Sequence, residues 1–178
     1  MSYLSLKELQ KIGFYQVGDN VKISSKASIY EVERISLGSN IRIDDFCVLS
    51  GNISIGNNVH LSTHVSLTAT IEPLLVDEGS TISYGSKLFT ASDDFGGDYM
   101  FNPTYSLSER NVIHRSITIE KFVAIGALCT IMPGSHIGTG AVVGAMSLVK
   151  GNLNPWTIYV GTPVRVLQER KRGLLDFQ

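Results

Sequence analysis

Aliphatic side chains recur at every sixth position over most of this 178-residue chain. One register runs Val17, Ile23, Ile29, then restarts at Leu37, Ile43, Leu49, at Ile55, Leu61, Leu67 and at Val76, Ile82, Leu88. After an interruption it continues through Ile119, Ile125, Ile131, Ile137, Val143 and Val149. A helix repeats every 3.6 residues and a strand every 2, so neither demands an apolar residue at i, i+6 and i+12. A triangular coil with six-residue sides does, because every sixth side chain then points to a common axis and three steps complete one turn. The pattern predicts an all-β fold, a parallel β-helix of about six coils, each burying its apolar residues against the coils above and below.

The residue after the aliphatic one is often Gly, Asp or Ser, as at Gly18, Gly38, Asp44, Gly126 and Gly144, which suits a chain turning a corner. The fifth position of the hexad is small or apolar, as at Val21, Ile41, Cys47, Ser86 and Cys129. Both cysteines therefore read as core residues rather than as a disulfide pair.

Residues 3–13 predict a short amphipathic helix, with Ser5 and Glu8 spaced as a capping box, Leu6 and Leu9 on one face and Gly13 as the stop. Its expected role is to cover the open first coil, since exposed strand edges invite pairing with other chains. Coils are expected over 17–149, a connection and a second helix over 150–178, and all of 1–178 in one domain. The large break, about 91–116, reads as a long extruded loop, and repeat proteins tend to place such insertions on the functional face. Its ends must meet, because the coils it leaves and rejoins are adjacent.

Charged residues make up 17% of the chain, fewer than in an average soluble domain, which favours an oligomer that hides one side of the column. A net charge of −1 gives no electrostatic reason to expect nucleic acid or an anionic membrane as partner. No apolar run approaches the length needed to span a bilayer, so a cytoplasmic location without membrane insertion is expected.

The loop geometry brings Asp93 and Asp94 toward His114, making a carboxylate-oriented imidazole the candidate general base. His60 is the next candidate. His64 and His136 read as solvated or interface side chains. Tyr99, Asn102 and Tyr105 on the loop offer aromatic surface and amide hydrogen bonds suited to a sugar ring.

The hexads, the loop entry Phe89-Thr90-Ala91-Ser92-Asp93-Asp94-Phe95, the run Met132-Pro133-Gly134 and the ending Gly161-Thr162-Pro163-Val164-Arg165 together resemble the hexapeptide-repeat acyltransferases. The similarity leans to the galactoside, maltose and O-antigen O-acetyltransferase branch. The resemblance implies a left-handed β-helix, a homotrimer with active sites between subunits, and acetyl-CoA as cosubstrate without a metal. It also implies that Gly126, Ala127, Gly144 and Ala145 line the pantetheine arm, near Pro163, with Lys150, Arg165 and Arg170 facing the phosphates. The acceptor it implies is a hydroxyl of a sugar or glycan precursor. An amino group on a nucleotide-linked sugar is the alternative acceptor, and a non-catalytic scaffold the alternative role. One departure stands out: the family's histidine after Thr-Ala-Thr is replaced here by Asp93 after Thr90-Ala91-Ser92. The base is therefore expected at the loop exit, in His114. Zinc chemistry on the same fold would need three converging histidines, and His60 and His64 occupy different hexad positions.

Overall fold

The computed structural model describes residues 2–177. The chain winds into a three-sided parallel β-helix whose hexad aliphatics are buried along the axis, except in the first coil, where Val17 is exposed and Ile29 half-buried. Ile23, Ile43, Leu61, Ile82, Ile125 and Val143 form one buried column, each at most 1% exposed. The first face stacks Lys22–Ile23, Arg42–Ile43, His60–Leu61, Thr81–Ile82, Ala124–Ile125, Val142–Val143 and Thr157–Val160. The second face runs from Ser28–Tyr30 to Leu148–Val149, and the third from Gln16–Val17 to Asn152–Leu153. Two long strands, Val48–Ile55 and Ser66–Val76, wrap from the second face onto the third.

Backbone bonds pass from coil to coil: Lys22 N–H donates to Ile41 C=O at 2.8 Å, Arg42 to Val59 at 3.0 Å, Thr81 to Val123 at 2.9 Å and Ala124 to Ala141 at 3.1 Å. Parallel ladders buried on their inner side need apolar residues there, and the hexad supplies them. Serines at the fifth position are satisfied locally, for example Ser86, which donates to Gly126 C=O at 2.8 Å. Six full coils are followed by a partial seventh, carried by Leu153 and Tyr159. It escapes the six-residue pattern because Leu153 follows Val149 by a shortened step.

The corner glycines correct one expectation. Gly126 has no left-handed backbone; a Cβ there would lie 2.5 Å from Ala145 N and 2.9 Å from Ala145 Cα, so close approach of successive coils excludes a side chain. The left-handed residues lie two positions further on and include Phe46, His64, Phe122, Leu128 and Met146. Gly140 shows why some of these positions are glycine: its φ is +67°, and a Cβ would meet the Trp156 ring of the next coil at 2.6 Å.

The amino-terminal helix spans Leu6–Ile12, with the Ser5–Glu8 capping box formed and Gly13 left-handed at the stop. Leu9 is the side chain it buries, whereas Leu6 is 74% exposed, so the two leucines do not share the covered face. The expected carboxyl-terminal helix is not formed. Arg165–Glu169 is instead a strand laid antiparallel on Thr157–Val160, followed by a 3-10 turn at Gly173–Phe177. The last coil presents a row of unpaired backbone groups, and a returning strand satisfies them where a helix lying across the edge would not. Among the described residues no helix is long and apolar enough to cross a membrane.

All three longer connections, between Ile29 and Leu37, Leu67 and Val76, and Leu88 and Ile119, leave the same corner, between the second and third faces. The long loop therefore rises over a corner already thickened by two smaller excursions.

Gly126→Ala is expected to lower unfolding free energy by about 2–3 kcal/mol, because the crowding atoms are backbone. Gly13→Ala, in open surroundings at a φ of +87°, should cost only about 1 kcal/mol for its backbone conformation. Urea unfolding of the two variants checks the order.

Candidate functional site

The loop is rooted by a short antiparallel pair, Ala91–Asp93 on Val112–His114, with Ala91 opposite His114, Ser92 opposite Ile113 and Asp93 opposite Val112. The expected meeting of the loop ends is thus present, but Asp93 and Asp94 do not orient His114. Asp93 Oδ1 accepts from Arg110 Nε and Nη2 at 3.0 and 2.7 Å, and its other oxygen accepts the Asn102 N–H at 3.2 Å. Asp94 accepts from Asn111 Nδ2 at 2.9 Å and from Gly96 N–H at 2.8 Å. Both carboxylates hold the loop together. The register explains this: Asp93 lies two residue pairs up the ribbon from His114, beside residues of the returning arm. The Arg110 guanidinium, followed by the Asn102 N–H, holds the Asp93 carboxyl below the ordinary aspartate value. For Asp94 the Gly96 N–H and the Asn111 amide do the same.

His114 Nδ1 lies 3.2 Å from Thr70 Oγ1. Thr70 is in turn supported by its neighbours: its N–H donates to Thr90 Oγ1 at 3.2 Å, and its C=O accepts from Arg34 Nη2 at 2.8 Å. The contact admits either direction; in the tautomer that donates Nδ1–H to the threonine hydroxyl, Nε2 keeps the lone pair a base requires. A cleft of about 480 Å³ lies beside it, lined by Glu72, His114, Arg115, Thr118, His136 and Asn152 among others. A second cleft, about 310 Å³, is lined by Ser92, Ile113, Arg115, Met132, Pro133 and Lys150. Successive strand residues face opposite ways, so Ile113 serves one cleft and His114 the other, while Arg115 borders both. The stem of Arg115 lies over Gly134, where a Cβ would come 2.9 Å from its Cδ.

His60 belongs elsewhere. It sits on the first face between Arg42 and Thr81, and its Nε2 is 2.9 Å from the buried Asp44 carboxylate, which also accepts from Arg42 at 2.7 Å. His64 stacks on Phe46 at 5.0 Å at the corner between the first and second faces. Among the described residues no three metal-ligating side chains converge.

Of the residues assigned to a cofactor by resemblance, Gly126, Ala127, Gly144 and Ala145 stack at the corner between the first and second faces. There Met146 N–H donates to Ala127 C=O at 2.8 Å. The ending folds onto this corner: Gly161 N–H donates to Ser147 Oγ at 3.0 Å and Thr162 Oγ1 to Met146 C=O at 3.1 Å, with Pro163 exposed and Arg165 opposite Val160. Lys150 lies across the second face, in the smaller cleft. Arg170 is not with them. Its Nη1 donates to Phe122 C=O at 2.7 Å and Gly140 C=O at 2.9 Å, pinning the last strand to the corner between the third and first faces. The antiparallel return carries it there, roughly 17 Å along the strand from Arg165.

On the loop, Tyr99 and Tyr105 are 48% and 40% exposed. Asn102 is spent as a turn residue: φ is +83° and its side-chain oxygen accepts from the Thr104 N–H and hydroxyl. Arg115 has no role in the sequence reading and His136 reads there as a solvated or interface side chain; both line the larger cleft. His136 Nε2 lies 2.6 Å from Glu120 Oε1, and Glu120 is held by the Thr139 hydroxyl and N–H at 2.6 and 2.7 Å. Glu120 directly follows the inward Ile119 and His136 directly precedes the inward Ile137, both on the third face, which adjoins the loop.

Because the folded Asp93 pKa is depressed, its clamp contributes in full above the unfolded aspartate value of about 3.9 and is lost as pH falls through the lower folded value. The Asn102 amide proton resonance should therefore titrate below the ordinary aspartate range in wild type, and nearer to it in Arg110→Ala. An NMR titration reads both.

No family model matches the chain. An Escherichia coli dTDP-4-amino-4,6-dideoxy-D-glucose acyltransferase is 35% identical over 181 residues, covering 100% of this chain and 94% of that protein. A putative lipopolysaccharide biosynthesis O-acetyl transferase of Escherichia coli K12, WbbJ, is 29% identical over 83% of this chain and 74% of its own length. The structure of AntD, an N-acyltransferase from Bacillus cereus in complex with dTDP and 3-hydroxybutyryl-CoA, superposes with a TM-score of 0.97 at 43% identity, covering 99% of this chain and 94% of that one. With its stacked hexads and corner-rooted loop matched end to end by such proteins, the chain belongs to the hexapeptide-repeat acyltransferases, enzymes built on the left-handed parallel β-helix.

Proposed function

We propose that this protein transfers an acyl group from a coenzyme A thioester to the amino group of a dTDP-linked 4-amino-4,6-dideoxy sugar. The observation that carries the reading is the full-length similarity to an acyltransferase named for that sugar nucleotide, together with the near-superposition on an N-acyltransferase that holds dTDP and an acyl-CoA. It departs from the hydroxyl acceptor expected first and takes up the amine alternative. A reaction between a sugar nucleotide and coenzyme A belongs in the cytoplasm.

The cofactor residues support assembly from several copies. In one chain, Gly126, Gly144 and Arg165 mark one edge of the second face, and Lys150 marks the other. A coenzyme bound by both needs the edge of one prism set against the opposite edge of a neighbour, as in a closed trimer of single-domain subunits. Pantetheine would follow the backbone of Gly126 to Ala145, with Pro163 and Arg165 toward the nucleotide end. Lys150, beside Ser92, sits nearer the loop root than a phosphate role at the far end would require.

The polar cleft carrying His114, Arg115, Thr118 and Asn152 is the acceptor side, and the exposed Tyr99 and Tyr105 of the loop are further candidates to contact the sugar. The amine nitrogen attacks the thioester carbonyl, the N–C bond forms and the C–S bond breaks. His114 Nε2 takes the nitrogen's proton and returns it to the departing thiolate. Asp93 and Asp94 keep the loop closed over this step.

Thiol release coupled to product mass tests the reading. With dTDP-4-amino-4,6-dideoxyglucose and acetyl-CoA, equal amounts of free thiol and amide-linked product are expected; turnover only with the hydroxyl counterpart would replace it with O-transfer. Because an uncharged amine needs little help in losing its proton, His114→Ala should lower kcat by roughly 10-fold, against about 10²–10⁴ for a hydroxyl acceptor. Unchanged kcat would remove His114 from the mechanism.

A further inference from the structure

The smaller cleft has a mixed character. Its walls are Ile113 and Ser92, paired across the loop root, and Met132 and Pro133 on the adjoining coil, with Arg115 and Lys150 at the rim. Ile113 is 40% exposed and stands outside the central core. No carboxylate lines this cleft. Among the described residues neither Arg115 nor Lys150 has a carboxylate within ion-pair distance, so the rim keeps its positive charge. Apolar surface below a cationic rim suits a molecule with an anionic body and a short hydrocarbon end. An acyl-CoA is such a molecule, and the apolar wall made by Ile113, Met132 and Pro133 offers more surface than a lone methyl group covers.

We infer that this cleft seats the acyl chain of the donor, that Ile113 and Met132 set the chain length, and that a chain of about four carbons is preferred over acetyl. The inference rests on the reading above that a coenzyme A thioester reacts at the loop root. Strand alternation supplies the geometry: Ile113 faces the chain while His114, the next residue, faces the acceptor cleft, so the thioester carbonyl comes between them. Ser92 Oγ donates to Asp93 C=O at 3.1 Å, which leaves its lone pairs able to accept a hydrogen bond from a hydroxyl on the chain. Arg115, stretched over Gly134, divides the two clefts.

The test uses the full-length protein with acetyl-, propionyl- and butyryl-CoA. Equilibrium affinity is measured by calorimetry without acceptor, and kcat/KM with the amino-sugar nucleotide. A buried methylene is worth about fourfold, so butyryl-CoA, two methylenes longer, should exceed acetyl-CoA by roughly 15-fold in both quantities. Ile113→Trp, which fills the cleft from an exposed position, should bring the ratio to within about twofold, and Met132→Ala should move the optimum toward longer chains. Taking a ratio of kcat/KM values removes any general loss of folded protein. Equal affinity for all three thioesters, or a preference untouched by Ile113→Trp, overturns the inference. If the affinities rank as expected but the amino sugar is not acylated, the acyl seat stands and the proposed acceptor falls. If no thioester binds, both fall.

Discussion

The hydrogen-bond ladder between successive coils is the constraint on which the rest of this molecule depends. It fixes the rise per coil at the spacing of neighbouring strands, just under 5 Å, and everything else must fit that pitch. Inward positions must be aliphatic because they are buried on every side. Corners must bring backbones together so closely that Gly126 can carry no side chain. Large residues such as Phe122 and Trp156 fit at corners only because the coil beneath provides Gly79 and Gly140. Extra residues can enter only where a corner faces outward.

The repeat was legible because one side chain in six has no alternative, so its identity is dictated rather than preferred. Ser5, Glu8 and Gly13 were legible for a similar reason, as each meets a local backbone demand. The carboxyl-terminal segment was not, because Arg165–Glu169 is exposed along its length and its pattern carries no burial signal. Its conformation is decided by the unpaired edge of the last coil, a tertiary fact. The shortened step before Leu153 hid the final coil in the same way.

In the candidate site, proximity was readable and contact was not. That the loop ends meet follows from the continuity of the column. Whether Asp93 turns to His114 or to Arg110 depends on the ribbon register and on which donors the returning arm presents. Of the catalytic candidates read from the sequence, the folded loop uses two, Asp93 and Asp94, to hold itself together. Arg115 escaped notice because it lies in the short stretch before the repeat resumes. Its importance appears only when two clefts share it as a wall.

The antiparallel pair at the loop root has a consequence for how such proteins diversify. Since Ser92 and Ile113 close the excursion at its base, residues between Asp93 and Val112 can be lengthened, shortened or exchanged without shifting a single rung of the column. On the proposed reading, whatever the outer loop adds to acceptor recognition is thus mechanically insulated from the coils. That addition can be respecified by evolution or by grafting while the column is inherited intact.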